Sequence, residues 1–279
     1  MIQSSPPRGP ASDPGTAFGE YYYGHCCGKP YVRNDEWLTF FGRIADRLIE
    51  DIEPRQVLDA GCALGLLVEA LRDRGVEAYG VDLSSYAIDN LHEKVRSYCR
   101  LGSVADDFDR RYDLIVSIEV LEHMPAADAE AAVANFCRHA DDVVFSSSPL
   151  DHREPTHINV HPPEHWAELF ARHDFFRDTD FDATFITPWA ARFRRRREPM
   201  HRVIRGYERR YWQFLNAATD AHDYSPTQQR PLEEAVAEAQ RLAGLLRQAE
   251  DCIVHMERSA FWRLRQLWVD LRARLTGRP

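Results

Sequence analysis

Residues 57–71, VLDAGCALGLLVEAL, constrain the fold of this chain more than any other stretch. An apolar run ends at Asp59, the chain turns through Gly61 and Gly65, and a helical pattern of apolar residues follows. Glycine lacks a Cβ atom and lets a ligand approach the backbone, while the first turn of a helix offers free N–H groups to an anion. This order predicts the nucleotide-binding corner of an α/β sheet.

Short apolar runs alternate with helical patterns from Gln56 to about residue 185. In order, they read QVLDA, LLVEALRDRG, AYGVD, SYAIDNLHEKV, YDLIVSI, AADAEAAVANFCRHA and DVVFSSS. Such alternation is typical of βαβ units, which form a parallel sheet covered by helices on both faces. Two later runs, 175–181 and 183–187, are expected to close the sheet. We therefore predict an α/β fold with a seven-stranded, mostly parallel sheet.

The composition changes after Pro188. Between Arg192 and Arg210, nine arginines against two glutamates give a local charge of +7 in a chain whose net charge is −9. Heptad spacing of apolar residues follows between 232 and 256, and a second amphipathic pattern covers 261–275. We divide the chain into three predicted parts: a flexible leader over 1–17, an α/β domain over 18–187, and a helical, partly basic, heptad-containing extension over 188–279.

The extension is compatible with several partners. Its heptad allows a homodimer through residues 232–256 or a helical hairpin folded back on the domain. Its basic stretch suits anionic lipid headgroups, a glycan-assembly partner or RNA. The acidic total disfavours a surface devoted to nucleic acid.

The sequence shows neither a secretory signal nor a run apolar enough to cross a bilayer. Its six cysteines form no CxxC pair and no disulfide-framework spacing, which is typical of free thiols in a reducing compartment. We predict a cytoplasmic location, with peripheral attachment to a membrane through the basic stretch as the alternative.

A second carboxylate, that of Asp82, follows the glycine turn at the distance along the chain that a ribose contact requires. The run AYGVD ends at Asp82, 21 residues after Gly61. A carboxylate at this place accepts hydrogen bonds from both hydroxyls of a ribose. The glycine spacing differs from the dinucleotide motif GxGxxG, because position 64 is leucine.

The turn, the helix after it and Asp82 together resemble the class I S-adenosylmethionine-dependent methyltransferases, whose first motif is an acidic residue followed by Gly-x-Gly-x-Gly. The resemblance runs from about Gln56 to about Phe185 and has Ala63 in place of the middle glycine. It implies a Rossmann-like fold and makes residues 18–187 a methyltransferase domain that binds S-adenosylmethionine. The implied cofactor contacts are Asp59, Gly61, Ala63 and Gly65 around the methionine moiety, Asp82 at the ribose, Ser103 and Val104 at the adenine with Asp106 as the alternative, and Glu119 beside the cofactor.

The segment SIEVLEHM places Glu119, Glu122 and His123 directly after the predicted fourth strand. On one helical turn these side chains share a face. Either all three are ligands of a divalent cation, Mg²⁺ or Mn²⁺, or His123 alone acts as a general base. The ExxEH pattern resembles the ubiquinone-pathway and small-RNA 2′-O-methyltransferases, in which these positions are metal ligands. Local hydrogen bonding alone is the third interpretation.

Further candidates lie in a histidine-rich loop and in an aromatic segment. His157 and His161 precede a helix start at Pro162, in a loop that resembles a stretch of glycan- and quinone-modifying methyltransferases, and both are catalytic candidates beside His123. Four tyrosines, at positions 21, 22, 23 and 31, either cover the cofactor as a lid or pack the first helix onto the sheet.

The resemblance implies O-methylation of a sugar, a glycan or a small-molecule hydroxyl group. Two other functions stay open: an RNA-modifying methyltransferase, and a cofactor-binding scaffold without turnover.

Overall fold

The computed structural model describes residues 17–223 and residue 241. Its helices are α1 (Glu20–His25), α2 (Asp35–Ile52), α3 (Leu66–Arg72), α4 (Ser85–Asp89), α5 (Ala126–His139), α6 (Pro163–Ala171) and α7 (Met200–Asp223). Its strands are β1 (Gln56–Ala60), β2 (Glu77–Asp82), β3 (Cys99–Leu101), β4 (Leu114–Ile118), β5 (Asp142–Ser146), β6 (Phe175–Arg177) and β7 (Ala191–Arg195). The strands form one sheet in the order β3-β2-β1-β4-β5-β7-β6. Only β7 runs antiparallel to its neighbours, so the predicted Rossmann-like, mostly parallel seven-stranded sheet is confirmed.

Strands β1 and β4 form the centre of the sheet. Strand β1 pairs in parallel with β2 on one side and with β4 on the other, and its residues Val57, Leu58 and Ala60 are fully buried. The direction of strand order reverses at this pair, and open α/β sheets bind ligands in the crevice at such a reversal. The glycine turn after β1 and the ExxEH segment after β4 therefore leave the sheet side by side.

Helix α2 covers one face of the sheet. Asn34 caps it, because its side-chain oxygen accepts a hydrogen bond from the Trp37 N–H at 2.9 Å. Phe41, Ile44 and Leu48 recur at helical spacing and are buried in the core beside α3. The cap at Asn34 and the helical spacing of these buried residues explain why α2 forms here.

The last part of the sheet corrects the sequence prediction. Residues 183–187 form turns rather than a strand, and the closing strand is β7, beyond Pro188. In β7 the side chains of Ala191 and Phe193 are buried while arginines alternate with them. The guanidinium of Arg192 lies 2.6 Å from Asp142 on β5, so part of the basic stretch is neutralised within the sheet. The arginines of β7 concealed the alternation of buried and more exposed residues that is typical of a strand.

The chain divides into two compact units, residues 1–207 and residues 208–279. The first unit thus extends beyond residue 187, where the sequence places the end of the domain. The predicted heptad of residues 232–256, the amphipathic pattern of 261–275 and residues 1–16 of the leader fall outside the ranges that are described, apart from residue 241. Within the described ranges, no helix has the length and apolar character needed to cross a membrane.

Candidate functional site

The turn between β1 and α3 holds three residues in the left-handed region of backbone conformation. Gly61, Ala63 and Gly65 have φ angles of 94°, 45° and 68°. The N–H groups of Gly61 and Cys62 both donate to the Val81 carbonyl oxygen, at 2.8 and 3.1 Å, and tie the turn to the end of β2. Glycine adopts such angles without a steric penalty, which explains its use on both sides of Ala63.

Gly61 also lies against the segment that follows β4. A Cβ atom at Gly61 would stand 2.3 Å from Cγ2 of Val120, well inside van der Waals contact. Val120 lies between Glu119 and Glu122 in the chain. The glycine turn and the ExxEH segment are therefore in direct contact.

We expect Gly61→Ala to lower the free energy of unfolding by about 2–4 kcal/mol, because it adds a steric overlap with Val120 to a left-handed backbone that itself costs about 1–3 kcal/mol. Gly75→Ala is the matched control, since Gly75 has a φ of 85° and no atom within 4 Å of an added Cβ. Urea unfolding of both variants measures the difference. If both variants lost the same free energy of unfolding, the overlap with Val120 would make no contribution to stability.

Asp82 joins the end of β2 to the glycine turn. Its Oδ2 accepts a hydrogen bond from the Ala63 N–H at 2.7 Å, and its Oδ1 accepts one from the Ser84 N–H at 2.8 Å. Asp59 is buried, and this burial, followed by the negative charge of Asp82, raises its pKa to about 8. Both carboxyl groups thus stand at the turn that the sequence assigns to the cofactor.

The raised pKa of Asp59 predicts a pH-dependent stability. The unfolded chain releases this proton near pH 4, whereas the folded chain holds it until about pH 8, so folding stability falls as the pH rises between these values. Asp59→Asn keeps the shape and removes this titration. We expect the variant to gain stability relative to the wild-type chain between about pH 5 and about pH 8, measured by urea unfolding. Parallel stability curves would contradict the assignment.

The two residues predicted at the adenine follow β3, which pairs with β2. Ser103 Oγ accepts a hydrogen bond from the Ala105 N–H at 3.1 Å, and Val104 is buried. Asn135 on α5 holds this loop, because its amide donates to the carbonyl oxygens of Val104 and Asp106 at 3.0 and 2.6 Å. The loop therefore lies at the same edge of the sheet as the end of β2.

The ExxEH segment folds into less helix than predicted. A single 3-10 turn covers Leu121–His123, and Glu119 precedes it with a φ of 53°. Glu119 Oε1 accepts a hydrogen bond from the indole N–H of Trp189 at 2.9 Å. Glu119 therefore does not stand one helical turn from Glu122, as the predicted shared face requires, although the two carboxyl groups still interact.

Glu122 is fully buried, with an exposed fraction of 0%. Its Oε1 accepts a hydrogen bond from the Ser148 N–H at 3.2 Å, while Oε2 receives no donor from the residues that the structure describes. Burial raises the pKa of this carboxyl group well above its usual range, and the neighbouring charge of Glu119 adds to the effect. A buried carboxylate oxygen without a donor is costly unless a cation or a proton compensates it.

His123 and His157 face each other with ring centroids 4.6 Å apart. His123 Nδ1 lies 3.0 Å from Oγ1 and 3.3 Å from the carbonyl oxygen of Thr156, and His157 Nδ1 lies 2.8 Å from the Asp151 carbonyl oxygen. Since carbonyl oxygens only accept, both rings carry their proton on Nδ1 and keep a lone pair on Nε2. Burial, followed by the proximity of His157, lowers the pKa of His123 to about 4, so this ring is neutral at pH 7.

Three side chains form a candidate metal site: Glu122, His123 and His157 each offer one ligand atom, and these atoms lie within 4.8 Å of one another. No other such group occurs in the parts of the chain that the structure describes. Carboxylate oxygen and neutral imidazole nitrogen are ligand types for divalent transition-metal ions. Fixing Nδ1 of a histidine through a backbone carbonyl is the usual support of a metal ligand. The orphaned Oε2 of Glu122 and the two imidazole rings thus offer ligand types that fit a divalent cation, and the Tyr22 hydroxyl, 3.3 Å from His123 Nε2, would have to leave that nitrogen for a cation to bind it.

Helix α1 covers this group. The Tyr22 hydroxyl lies 3.3 Å from His123 Nε2 and donates to it, and the Phe18 ring stands edge-on to the same imidazole at 5.5 Å. Ser84 Oγ donates to the Phe18 carbonyl oxygen at 2.5 Å and ties this segment to the turn after β2. The first described residues therefore lie over both the glycine-turn side and the ExxEH side of the site.

The other predicted lid tyrosines have different surroundings. Tyr21 is 73% exposed and stacks on His25, whereas Tyr23 stacks on Tyr86 of α4. Tyr31 packs against the hydrophobic core, and its N–H donates to the Tyr23 carbonyl oxygen at 2.7 Å. Of the four, only Tyr22 makes a hydrogen bond to a candidate site residue.

His161, the third catalytic candidate, lies apart from the group of Glu122, His123 and His157. Its Nε2 donates to Asn159 Oδ1 at 3.0 Å, and its ring stacks on His165 at 3.8 Å. Three further residues contact the site and were not predicted: Thr156, Asn159 and Trp189. They lie 33 to 70 residues along the chain from their partners, so no local sequence signal could have identified them.

Comparisons with known proteins identify the family of the chain. The profile of the family described as "Methyltransferase domain" matches residues 33–176, about half of the chain. The chain is 34% identical over 105 residues to a ubiquinone biosynthesis O-methyltransferase of Alkalilimnicola ehrlichii, a match that covers 34% of this chain and 42% of that protein. It is 35% identical over 102 residues to the enzyme of the same name from Idiomarina loihiensis, covering 33% of this chain and 42% of that protein.

A solved structure shares the fold. The chain superposes with a TM-score of 0.51 on the magnesium protoporphyrin IX methyltransferase of Synechocystis, at 17% identity, over 68% of this chain and 100% of that one. In its sequence matches, the chain spans less than half the length of the curated relatives. The profile match, the sheet order and the glycine turn lead to the same assignment. The chain belongs to the methyltransferase domain family.

Proposed function

We propose that the chain transfers a methyl group from S-adenosylmethionine to a hydroxyl oxygen of a small molecule or a glycan. The contact between the glycine turn and the ExxEH segment carries this proposal, because it sets the cofactor corner beside Glu122, His123 and His157. Methyl transfer needs the donor carbon and the acceptor oxygen in line, in a pocket from which water is excluded. Tyr22 and Phe18, which cover His123, serve that exclusion.

In the proposed complex, the cofactor lies along the turn from Asp59 to Gly65. Asp82 receives the ribose hydroxyls while it keeps the Ala63 N–H, and the loop of Ser103 and Val104 borders the adenine. The magnesium protoporphyrin IX methyltransferase of the same fold was solved with bound S-adenosylmethionine, which supports this choice of cofactor.

Oxygen as the acceptor atom is supported by the curated relatives, which are named O-methyltransferases. These matches cover about one third of the chain, so the acceptor molecule of this chain need not be that of the relatives. A glycan or sugar acceptor rests on the likeness of the histidine loop to glycan- and quinone-modifying enzymes.

We further propose that Glu122, His123 and His157 hold a divalent cation, with Glu119 beside Glu122. Of Mg²⁺ and Mn²⁺, the two imidazole ligands favour Mn²⁺, because Mg²⁺ prefers oxygen ligands. Such a cation, when bound, lowers the pKa of an acceptor hydroxyl and neutralises the charge that develops on its oxygen. The chain contributes fixed ligand atoms: Thr156 and Asp151 set the orientation of the two imidazoles, and Ser148 sets that of Glu122. Of the two interpretations of His123, this geometry favours the ligand over the lone base.

Incubation of the purified chain with methyl-labelled S-adenosylmethionine tests the function. The acceptor panel contains sugar nucleotides, phenols and short RNAs, each with and without EDTA. We expect label in a sugar or a phenol, and loss of transfer with EDTA. Transfer that survives full chelation removes the metal role, label in RNA favours an RNA-modifying enzyme, and cofactor binding without transfer to any acceptor favours a scaffold.

The proposed partners beyond the acceptor concern the C-terminal part of the chain. A homodimer through residues 232–256 and attachment of the basic stretch to a membrane or a glycan-assembly partner stay proposals. Several arginines of that stretch already pair with acidic residues of the same unit, such as Arg195 with Asp141 at 2.7 Å. Sedimentation of the full chain with and without anionic vesicles distinguishes these cases.

A further inference from the structure

Asn159 is a buried polar residue that the proposed reaction does not use. It lies in the loop between β5 and α6, and only 6% of its surface is exposed. Its side-chain amide donates to the Leu121 carbonyl oxygen at 3.1 Å, and its backbone N–H donates to the Glu122 carbonyl oxygen at 2.9 Å. One residue thus makes two hydrogen bonds to the 3-10 turn that carries Glu122 and His123.

The third bond of Asn159 explains why the side chain is an amide. Its Oδ1 accepts from His161 Nε2 at 3.0 Å, while Nδ2 donates to Leu121. A position that donates on one side and accepts on the other suits asparagine, whereas aspartate lacks the donor and alanine lacks both groups. The amide therefore links His161, which lies just before α6, to Leu121 in the 3-10 turn.

The loop around Asn159 has no regular secondary structure to hold it. Residues 150–162 form neither helix nor strand, although they carry His157. Besides the bonds of Asn159, the loop meets the turn through His123 Nδ1 and Thr156. Among the described residues, the hydrogen bonds of His157 stay within its own loop: Nδ1 donates to the Asp151 carbonyl oxygen and the backbone N–H donates to the Glu154 carbonyl oxygen. The approach of His157 to Glu122 and His123 thus depends on bonds made by its neighbours.

We propose that Asn159 is the positioning residue that holds the His157 loop against the Glu122–His123 turn and keeps the three ligand atoms in one group. Without its amide, the loop keeps only the backbone bond of Asn159 and the contact of Thr156 with His123, so His157 gains freedom to move relative to Glu122. The inference rests on the proposed metal role where affinity is concerned, while the geometric part stands on the hydrogen bonds alone.

The test compares Asn159→Ala with Asn135→Ala in the full chain. Asn135 is the matched control because it is also a buried asparagine whose amide donates to two backbone carbonyls, but on the loop after β3. Titration calorimetry with Mn²⁺ measures the affinity in the absence of acceptor. We expect Asn159→Ala to weaken Mn²⁺ binding about 10- to 100-fold, as loss of a supporting hydrogen bond does at metal sites, and Asn135→Ala to change it less than about twofold.

A metal-free readout separates this inference from the proposed function. Long-range ¹H–¹⁵N NMR reports which imidazole nitrogen carries the proton, and the wild-type chain is expected to show His123 and His157 protonated at Nδ1. Asn159→Ala should turn these signals into tautomer mixtures. Asn159→Asp, which keeps the shape, replaces the alanine variant if that chain does not fold.

The outcomes are distinct. If the wild-type chain takes up no Mn²⁺, the metal is removed from the proposed function. The positioning role of Asn159 is then tested by the tautomers of His123 and His157 alone. Folded Asn159 variants with unchanged tautomers, together with unchanged affinity where Mn²⁺ binds, would overturn the positioning role. Equal losses in the two alanine variants would assign the effect to general destabilisation and overturn it as well.

Discussion

Asp82→Ala is expected to weaken the binding of S-adenosylhomocysteine at least about 100-fold. The carboxylate accepts backbone hydrogen bonds from Ala63 in the glycine turn and from Ser84, and the proposed ribose contact is added to these. Hydrogen bonds to a charged group contribute about 1.5–3 kcal/mol each, so losing the ribose contact and loosening the turn together costs about 3 kcal/mol, which is about a 100-fold change. Calorimetric titration with the nucleoside measures the affinity.

Asp73→Ala is the control for loss of a carboxylate near the same helix. Asp73 lies at the end of α3, is half exposed and pairs with Lys94 at 3.6 Å. We expect its affinity for S-adenosylhomocysteine to stay within about twofold of the wild-type value. An Asp82→Ala chain that folds and binds as tightly as the wild-type chain would place the ribose elsewhere, and the assignment of the glycine turn to the cofactor would lose its main support.

Glu122→Gln is expected to slow methyl transfer by about 100-fold or more while leaving the affinity for S-adenosylhomocysteine within about twofold. The amide keeps the shape of the side chain and the acceptor for the Ser148 N–H, but it removes the negative charge that a cation or a proton relay needs. The free Oε2 position can take the amide nitrogen, which then donates toward Glu119. Because the amide cannot ionise and its two polar atoms have partners, the stability should be equal to that of the wild-type chain or higher.

This split between activity and stability makes the variant informative. A purely structural role for Glu122 predicts a loss of stability with little change in turnover of the folded protein. Glu130→Gln on α5, at an exposed position, controls for the change of charge and is expected to behave as the wild-type chain. Single-turnover rates with saturating cofactor, beside thermal unfolding of the same samples, provide both readouts.

Much of the site was readable from local sequence. The glycine turn and Asp82 stand at spacings that backbone geometry imposes on a βαβ unit, so their neighbourhood in the sheet follows from the order of the elements. Glu122 and His123 come directly after a strand, at the edge where ligands bind. His157 was a candidate from its loop, and the structure places it within ligand distance of both.

Other parts depended on contacts between distant residues. Glu119 and His123 are equally plausible ligands by spacing. However, the carboxylate of Glu119 accepts a hydrogen bond from the indole N–H of Trp189, 70 residues further on. His157 and His161 differ by four positions, but only one of them faces His123. Strand β7 was missed because arginines fill its exposed positions, and their ion pairs to β5 appear only when the strands meet.

The amino-acid sequence by itself determined the fold class, the cofactor corner and the acidic–imidazole segment beside it, because periodicity, glycine spacing and strand order act over a few residues. Tertiary structure alone decided which of the candidate ligands converge, which tyrosine bonds to them and which asparagine bonds to the turn that carries Glu122 and His123. Those choices depend on where a loop docks and which hydrogen bonds it completes. That docking is set by the packing of the whole sheet, which no short stretch of sequence encodes.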